Sequence, residues 1–188
     1  MKKLPSLCLV PKLKITPIVA LAVILKKLEY SFAIKLMKMK NLFDPAVKNE
    51  IVARIDRLQA NSKAQWGKMN VNQGLRHMSM AFEIPTGKLD PTPSKVPPIP
   101  KWLLKFFLLN AKPPKERAET FKEINTVANG INPTDFEAER NNLKKAVEDF
   151  FNSTYLIPEN KLVGKFSKSD WGKLNYNHTD HHLRQFGA

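Results

Sequence analysis

Apolar residues recur at helical spacing through most of the chain after residue 44. A first stripe is spaced by four, four and three residues, at Val47, Ile51, Ile55 and Leu58. That spacing places the four side chains on one face of an α-helix. Asp44 can accept hydrogen bonds from the first free amides, and Pro45 suits the first helical position. We therefore predict a helix that begins at Asp44 and Pro45.

Three more helices are predicted by the same criteria. One begins near Asn70, where Gln73 completes a capping-box pattern, and runs to Pro85. The next follows the sequence INPTD, and its apolar face contains Phe136, Leu143, Val147 and Phe150. The last begins near Asn175 and ends at Gly187. Four helices without an alternating strand pattern indicate an all-α fold, a four-helix bundle.

The segment between the second and third of these helices is different. Residues 84–100 contain six prolines, too many for a regular element, and the short apolar run KWLLKFFLLN follows them. We expect a proline-rich loop and a short apolar helix. Its large apolar side chains are predicted to cover the open side of the bundle as core, with the wall of a substrate pocket as the alternative: Trp102, Leu103, Phe106, Phe107 and Leu109.

The first forty residues form a separate piece, so we divide the chain into an extension at 1–40 and a bundle at 41–188. The apolar run Ile15 to Leu25 has 11 residues, whereas a membrane-spanning helix needs about 20. Three interpretations stay open: a signal peptide cut after Ala33, a basic helix on a membrane surface, or a true start at Met37 or Met39. The last implies a cytoplasmic protein, and the others imply export or membrane association.

Charge changes this picture little. The chain of 188 residues has a net charge of +14, but the first forty residues contain nine lysines and one acid, which accounts for eight of these charges. Lysine and glutamate are mixed along the remainder, without an arginine-rich stripe that alternates with aromatic residues. We therefore expect no nucleic-acid partner. The single cysteine, Cys8, excludes a disulfide within the chain.

One phrase occurs twice in the sequence. WGKMNVNQGLRHM at 66–78 and WGKLNYNHTDHHL at 171–183 agree at six of thirteen positions, and together they contain all four histidines of the chain. In each copy the tryptophan can be buried before a helix, the glycine allows a turn, and the first asparagine can cap the helix. The repeat predicts two related helical hairpins, each with the phrase at a helix start.

The spacing of the histidines predicts a metal site. His77 and His182 each follow the asparagine of their phrase by seven residues, so they should face each other in a pseudo-symmetric bundle. His178 is one turn before His182 on the same face, whereas His181 points about 100° away from His182. Three imidazoles from two facing helices can hold a divalent ion, with zinc or nickel preferred, and leave positions open for water or substrate.

Two glutamines lie one turn from the histidines. Gln73 precedes His77 and Gln185 follows His182, so either could orient a ring through a hydrogen bond. Both could equally be surface glutamines. No serine stands in a nucleophile-elbow motif, and no glycine-rich phosphate loop occurs, so a serine or cysteine triad is disfavoured.

NHTDHHLRQFG at 177–187 resembles the fourth-helix signature of the DinB-like superfamily of metal-binding four-helix bundles, and WGKMNVNQGLRHM resembles its second-helix histidine segment. The resemblance covers about residues 40–188 and is closest to a largely uncharacterised branch. It implies a metal triad of His77, His178 and His182. His181 matches a position at which members of the superfamily often have a histidine that is not normally a metal ligand.

Characterised members of that superfamily use the metal to ionise a low-molecular-weight thiol, which attacks an electrophile. The resemblance therefore implies a thiol S-transferase with a small-molecule substrate, a thiol cosubstrate and no protein nucleophile. A metal-dependent hydrolase and a non-catalytic metal-binding or interaction protein are the alternatives. The family also implies a homodimer, and residues 1–40 suggest contact with a membrane surface.

Overall fold

A computed structural model describes Lys26, residues 40–115 and residues 121–188 of the chain. From residue 40 onward these residues form five helices and a two-stranded antiparallel sheet. In chain order the elements are α1 (Pro45–Asp56), α2 (Val71–Glu83), α3 (Lys101–Asn110), α4 (Phe136–Phe151), β1 (Glu159–Asn160), β2 (Gly164–Lys165) and α5 (Lys168–Gln185). The mostly helical fold confirms the all-α prediction in broad terms, and the small sheet was not predicted.

Three of the four predicted helix starts are confirmed. Asp44 accepts a hydrogen bond from the amide of Ala46 and begins α1 with Pro45. Asn70 and Gln73 form the predicted capping box, with hydrogen bonds of 2.8 and 3.0 Å. Asp135 caps α4. The expected short apolar helix is α3.

The predicted start of the last helix is wrong. α5 begins at Lys168, where Ser167 and Asp170 form a capping box, and Asn175 is a buried residue inside the helix. A capping box satisfies two amides reciprocally, so the earlier signal is a complete helix start. The second phrase therefore lies entirely within a helix, whereas the first precedes and enters one.

The glycines of the two phrases consequently differ in their roles. Gly67 has a φ of 77°, in the left-handed region that a turn before α2 requires. Gly172 is helical, and a Cβ atom there would lie 1.9 Å from Oδ1 of Asn41. Its carbonyl also accepts a hydrogen bond from the Leu42 amide. Gly172 therefore permits the close approach of the segment that leads into α1.

We predict that Gly172→Ala destabilises the protein by about 1–3 kcal/mol, since overpacking has that cost. Helix propensity acts in the opposite direction, because alanine is favoured over glycine inside a helix by about 1 kcal/mol. The sign of the change in the free energy of unfolding, measured by urea denaturation, decides between the two effects. A more stable variant would contradict the close approach of Asn41.

The core lies between the helices. α2 packs against α4, and α5 contacts α1, α2 and α3. Most of the largest side chains that are fully buried come from the predicted apolar faces and from α5, among them Trp171, Phe150, Ile51, Ile55, Leu75, Met78, Leu143 and Leu183. The indole N–H of Trp171 donates to the carbonyl of Ile157 at 2.8 Å. This hydrogen bond connects α5 to the segment between α4 and β1.

α3 contributes less to the core than predicted. Only Leu109 of the five apolar residues singled out in it is buried, while Trp102 and Phe107 are 70% and 48% exposed. α3 packs on α5 and presents Leu104 and Leu108 to the core. Because a helix resting on one side of its neighbours cannot bury its whole circumference, Trp102 and Phe107 face outward.

No helix in the described ranges is both long and apolar enough to cross a bilayer. The apolar run, the cleavage site, the alternative starts and Cys8, all predicted within residues 1–39, lie outside the described residues.

Candidate metal centre

Three of the four histidines come together between α2 and α5. The ring centroid of His77 lies 4.9 Å from that of His178 and 4.6 Å from that of His182. The centroids of His178 and His182 are 4.7 Å apart. One ring nitrogen from each lies within 4.8 Å of those from the other two. The predicted convergence of these side chains is confirmed, although α5 begins seven residues earlier than expected.

The orientation of His77 is set by a backbone carbonyl. Nδ1 of His77 lies 2.7 Å from the carbonyl oxygen of Ile124, which can only accept a hydrogen bond. Nδ1 therefore carries the proton, and the lone pair of Nε2 points towards His178, whose Nε2 is 2.9 Å away. Gln73, which was predicted as a possible hydrogen-bond partner of His77, instead caps α2 and donates to the Ile131 carbonyl.

Gln185 orients His182, as one of its two sequence interpretations proposed. The Gln185 amide nitrogen donates to the carbonyl of Trp66 at 2.6 Å, which fixes the direction of the amide. Its oxygen therefore accepts from Nδ1 of His182, at 2.8 Å, and leaves the lone pair of Nε2 free. A Cβ atom on Gly67 would lie 2.7 Å from the same amide nitrogen. The first phrase thus supports a histidine of the second.

The hydrogen bonds of Gln185 connect His182 to the carbonyl of Trp66. Gln185→Ala should weaken binding of a divalent ion by about 10–100-fold, because groups that orient metal-ligating histidines have effects of that size. Isothermal titration with zinc measures the change. Gln59→Ala removes an exposed glutamine outside the site and is the control. Equal affinity in the two variants would show that Gln185 does not position His182.

His181 does not join the other three rings. It belongs to no group of potential ligands among the described residues, and its ring centroid lies 4.9 Å from that of His182. Its Nδ1 is buried without a hydrogen-bond partner in the part of the chain that the structure describes. This placement agrees with the predicted divergence of its side chain from His182.

The electrostatic environment keeps the cluster neutral. Burial lowers the pKa of His77 and outweighs the opposing hydrogen bond with Ile124. Burial, followed by the proximity of the other imidazoles, lowers the pKa of His178 and of His182 well below the ordinary value. Neutral imidazoles expose a nitrogen lone pair, which is the form that binds a metal ion.

The cluster opens onto a cavity of about 850 Å³. His77, His178, His181 and His182 line one side of it. The cavity wall also includes Trp66, Lys68, Thr126, Lys115 and Gln185. A molecule in this cavity can therefore approach the three converging nitrogens from outside.

One pair of ring nitrogens has the spacing expected of two ligands on one divalent ion, and all three nitrogens lie within 4.8 Å of one another. Two nitrogens bound at about 2.0–2.1 Å, with an angle between 90° and 109°, lie about 2.9–3.4 Å apart. The observed separation of 2.9 Å between Nε2 of His77 and Nε2 of His178 is at the lower end of that range. No cysteine, aspartate or glutamate of the described ranges joins the group. Three neutral nitrogen donors with no further protein ligand suit a site that keeps open positions.

Two of the groups that define the site could not be recognised in the sequence. The carbonyls of Ile124 and Trp66 belong to the backbone, and the residues that bear them give no chemical signal of their role.

Comparison with curated proteins found no match to the chain, and neither did comparison with solved structures. A family model described as a protein of unknown function, DUF1569, matches residues 38–188. The matched range contains all four histidines and the elements from α1 to α5. The chain therefore belongs to the DUF1569 family.

Proposed function

We propose that His77, His178 and His182 bind a divalent metal ion, zinc or nickel, and that the protein is a metal-dependent thiol S-transferase. The observation that carries the proposal is the convergence of three neutral ring nitrogens beside a cavity, without a fourth protein ligand among the described residues. A divalent cation lowers the pKa of a thiol that reaches it.

The protein's own residues bind and orient in this proposal. Ile124 and Gln185 hold the rings of His77 and His182 with their lone pairs towards the centre. In the reaction, the thiol sulfur forms a bond to an electrophilic carbon, and the bond from that carbon to the leaving group breaks. The leaving group departs with the electron pair, and the thiol proton goes to solvent.

The charge of the larger cavity favours an anionic thiol. Lys68 and Lys115 line it and are exposed, and no acidic residue is among the side chains that form its wall in the described ranges. Lysine ammonium groups near a cavity attract carboxylates from solution. We therefore expect the cosubstrate to be a low-molecular-weight thiol that carries one or more carboxylates.

We also infer that the helices form a four-helix bundle of DinB-like type. Support comes from the packing of α2 on α4 and of α5 on α1 and α2, with α3 as the short helix inserted between α2 and α4. The histidines come from α2 and α5, the second and last of the four long helices. A homodimer, membrane contact through residues 1–40, and the absence of a nucleic-acid partner remain predictions.

Cobalt substitution tests the proposed thiol site directly. The metal-free protein is loaded with cobalt(II) and titrated with glutathione, a thiol with two carboxylates. Binding of a sulfur anion to cobalt should add an intense near-ultraviolet absorption band, and the band should be missing in His178→Ala. Turnover is then measured with 1-chloro-2,4-dinitrobenzene. Absence of both the band and turnover in the loaded protein would contradict a thiol transferase, whereas thiol-independent hydrolysis of a nitrophenyl ester would indicate a hydrolase.

A non-catalytic histidine cluster is the second candidate. The separation of 2.9 Å between Nε2 of His77 and Nε2 of His178 is also a hydrogen-bond distance. In that case Nε2 of His178 carries a proton and donates it to His77. Protein purified without a histidine tag would then contain no stoichiometric metal, and a chelator would leave its melting temperature unchanged.

A further inference from the structure

A second, smaller cavity lies beside the histidine cluster. Its volume is about 150 Å³. Most of the side chains that line it are apolar, among them Ala81, Ile84, Leu108, Ile124, Leu162 and Leu174. α2, α3 and α5 each contribute to it, so its walls belong to packed helices as well as to loops.

The two cavities meet at the proposed metal site. His178 and Ser94 line both the smaller and the larger cavity. His178 is the one histidine of the cluster that lines the smaller cavity, and it therefore lies between a mainly apolar space and a polar, basic one. The polar part of the smaller cavity's wall comprises Ser94, Lys95, Asn160, Asn175 and His178. A molecule that reacts beside His178 can extend one part into each space.

We propose that the smaller cavity is an apolar subsite for a benzene-sized group of the electrophile, such as a phenyl ring or a short branched alkyl chain. The assignment to the electrophile rests on the thiol-transferase function proposed above. An engineered apolar cavity of about 150 Å³ in another protein binds benzene. The smaller cavity has a similar volume, and nine of its fourteen lining residues are apolar. The polar, lysine-lined cavity suits the anionic thiol, so the apolar space is left for the second substrate.

The volume also limits the substrate class. A single six-membered ring fits about 150 Å³, and we expect a fused two-ring system, which is larger, to bind more weakly. The reacting carbon must lie close to the ring, because His178 is at the edge of the cavity. The expected electrophile is thus an aryl or benzylic compound, or a short alkyl analogue, whose carbon–leaving-group bond breaks as the carbon–sulfur bond forms.

Benzene itself is the probe for this subsite. Saturation-transfer NMR of the full chain, first without metal, should show saturable binding of benzene, and naphthalene should bind at least tenfold more weakly. Ala81→Leu adds three carbons to the wall and should weaken benzene binding at least tenfold. Leu174→Ala enlarges the cavity and should admit naphthalene. Circular dichroism and melting temperature show whether each variant is folded.

Cobalt(II) then tests whether the subsite adjoins the metal centre. In the cobalt-loaded chain, the relaxation of bound benzene protons should be enhanced relative to the zinc-loaded chain. Absence of benzene binding, or binding unchanged by both substitutions, would overturn the subsite. Binding without enhanced relaxation in a chain that contains cobalt would separate the cavity from the reacting centre and also overturn the proposal. Failure of the proposed function is scored independently, by metal content and by the thiol band.

Discussion

His178→Ala is expected to abolish stoichiometric binding of a divalent ion, while His181→Ala retains it. The first substitution leaves two converging nitrogens, those of His77 and His182, and two imidazoles seldom hold an ion through purification. Because loss of an orienting neighbour already costs about 10–100-fold in metal affinity, loss of a ligand should cost more than about 100-fold. His181 is the matched control, since it is also a histidine of α5 but lies outside the group.

Elemental analysis of untagged protein measures this effect. We expect about one ion per chain in the natural sequence and in His181→Ala, and almost none in His178→Ala. Thermal unfolding adds an independent measurement, because an ion at about 1,000 times its Kd stabilises the folded state by about 4 kcal/mol. Metal content that persists in His178→Ala would exclude that residue as a ligand, and loss in His181→Ala would place the ion elsewhere.

Arg54→Leu is expected to lower the free energy of unfolding by about 1–3 kcal/mol, because it removes one of two charged partners from a partly buried carboxylate, which keeps its ion pair with Arg184. Nη1 of Arg54 lies 2.7 Å from Asp180, and Nη2 donates to the carbonyl of Ala188 at 3.0 Å. Burial acts to raise the pKa of Asp180, but hydrogen bonds from Arg54 and Arg184 outweigh it, and the net pKa is lowered. The pair connects α1 to α5.

Urea denaturation of Arg54→Leu and of a surface control measures this difference. Lys145 and Asp149 form an exposed ion pair of 2.9 Å within α4. Lys145→Leu should therefore change stability by less than about 1 kcal/mol. A similarly small effect for Arg54→Leu would show that the burial of its guanidinium contributes little to the attachment of α5.

Local sequence signals were sufficient where the chemistry of a helix start is contained in a few residues. Asp44 with Pro45, and Asn70 with Gln73, were recognisable because a capping residue acts on amides two or three positions away. The last helix was mispredicted by similarity to the first phrase. Ser167 and Asp170 also form a capping box. The helix start was nevertheless predicted near Asn175, because Asn175 matches Asn70 in the repeated phrase.

The histidine cluster was predictable for a related reason. The four-residue spacing of His178 and His182 places both rings on one helix face, and the repeat matched His77 to His182. The outward orientation of Trp102 was not predictable, because an apolar run does not specify which of its sides has a neighbour. The same applies to the two cavities, which are bounded by segments distant in the chain.

The sequence by itself determined the helical class, most helix starts and the three histidines that converge, because helical periodicity and capping depend on nearby residues. Only the tertiary structure decided which groups orient those histidines. Every residue has a backbone carbonyl, so the sequence does not distinguish those of Ile124 and Trp66. They orient the site only because the segments that contain them fold against α2 and α5. It also decided that His178 lines both a basic cavity and a mainly apolar one, since the shape of a cavity depends on how all its walls pack.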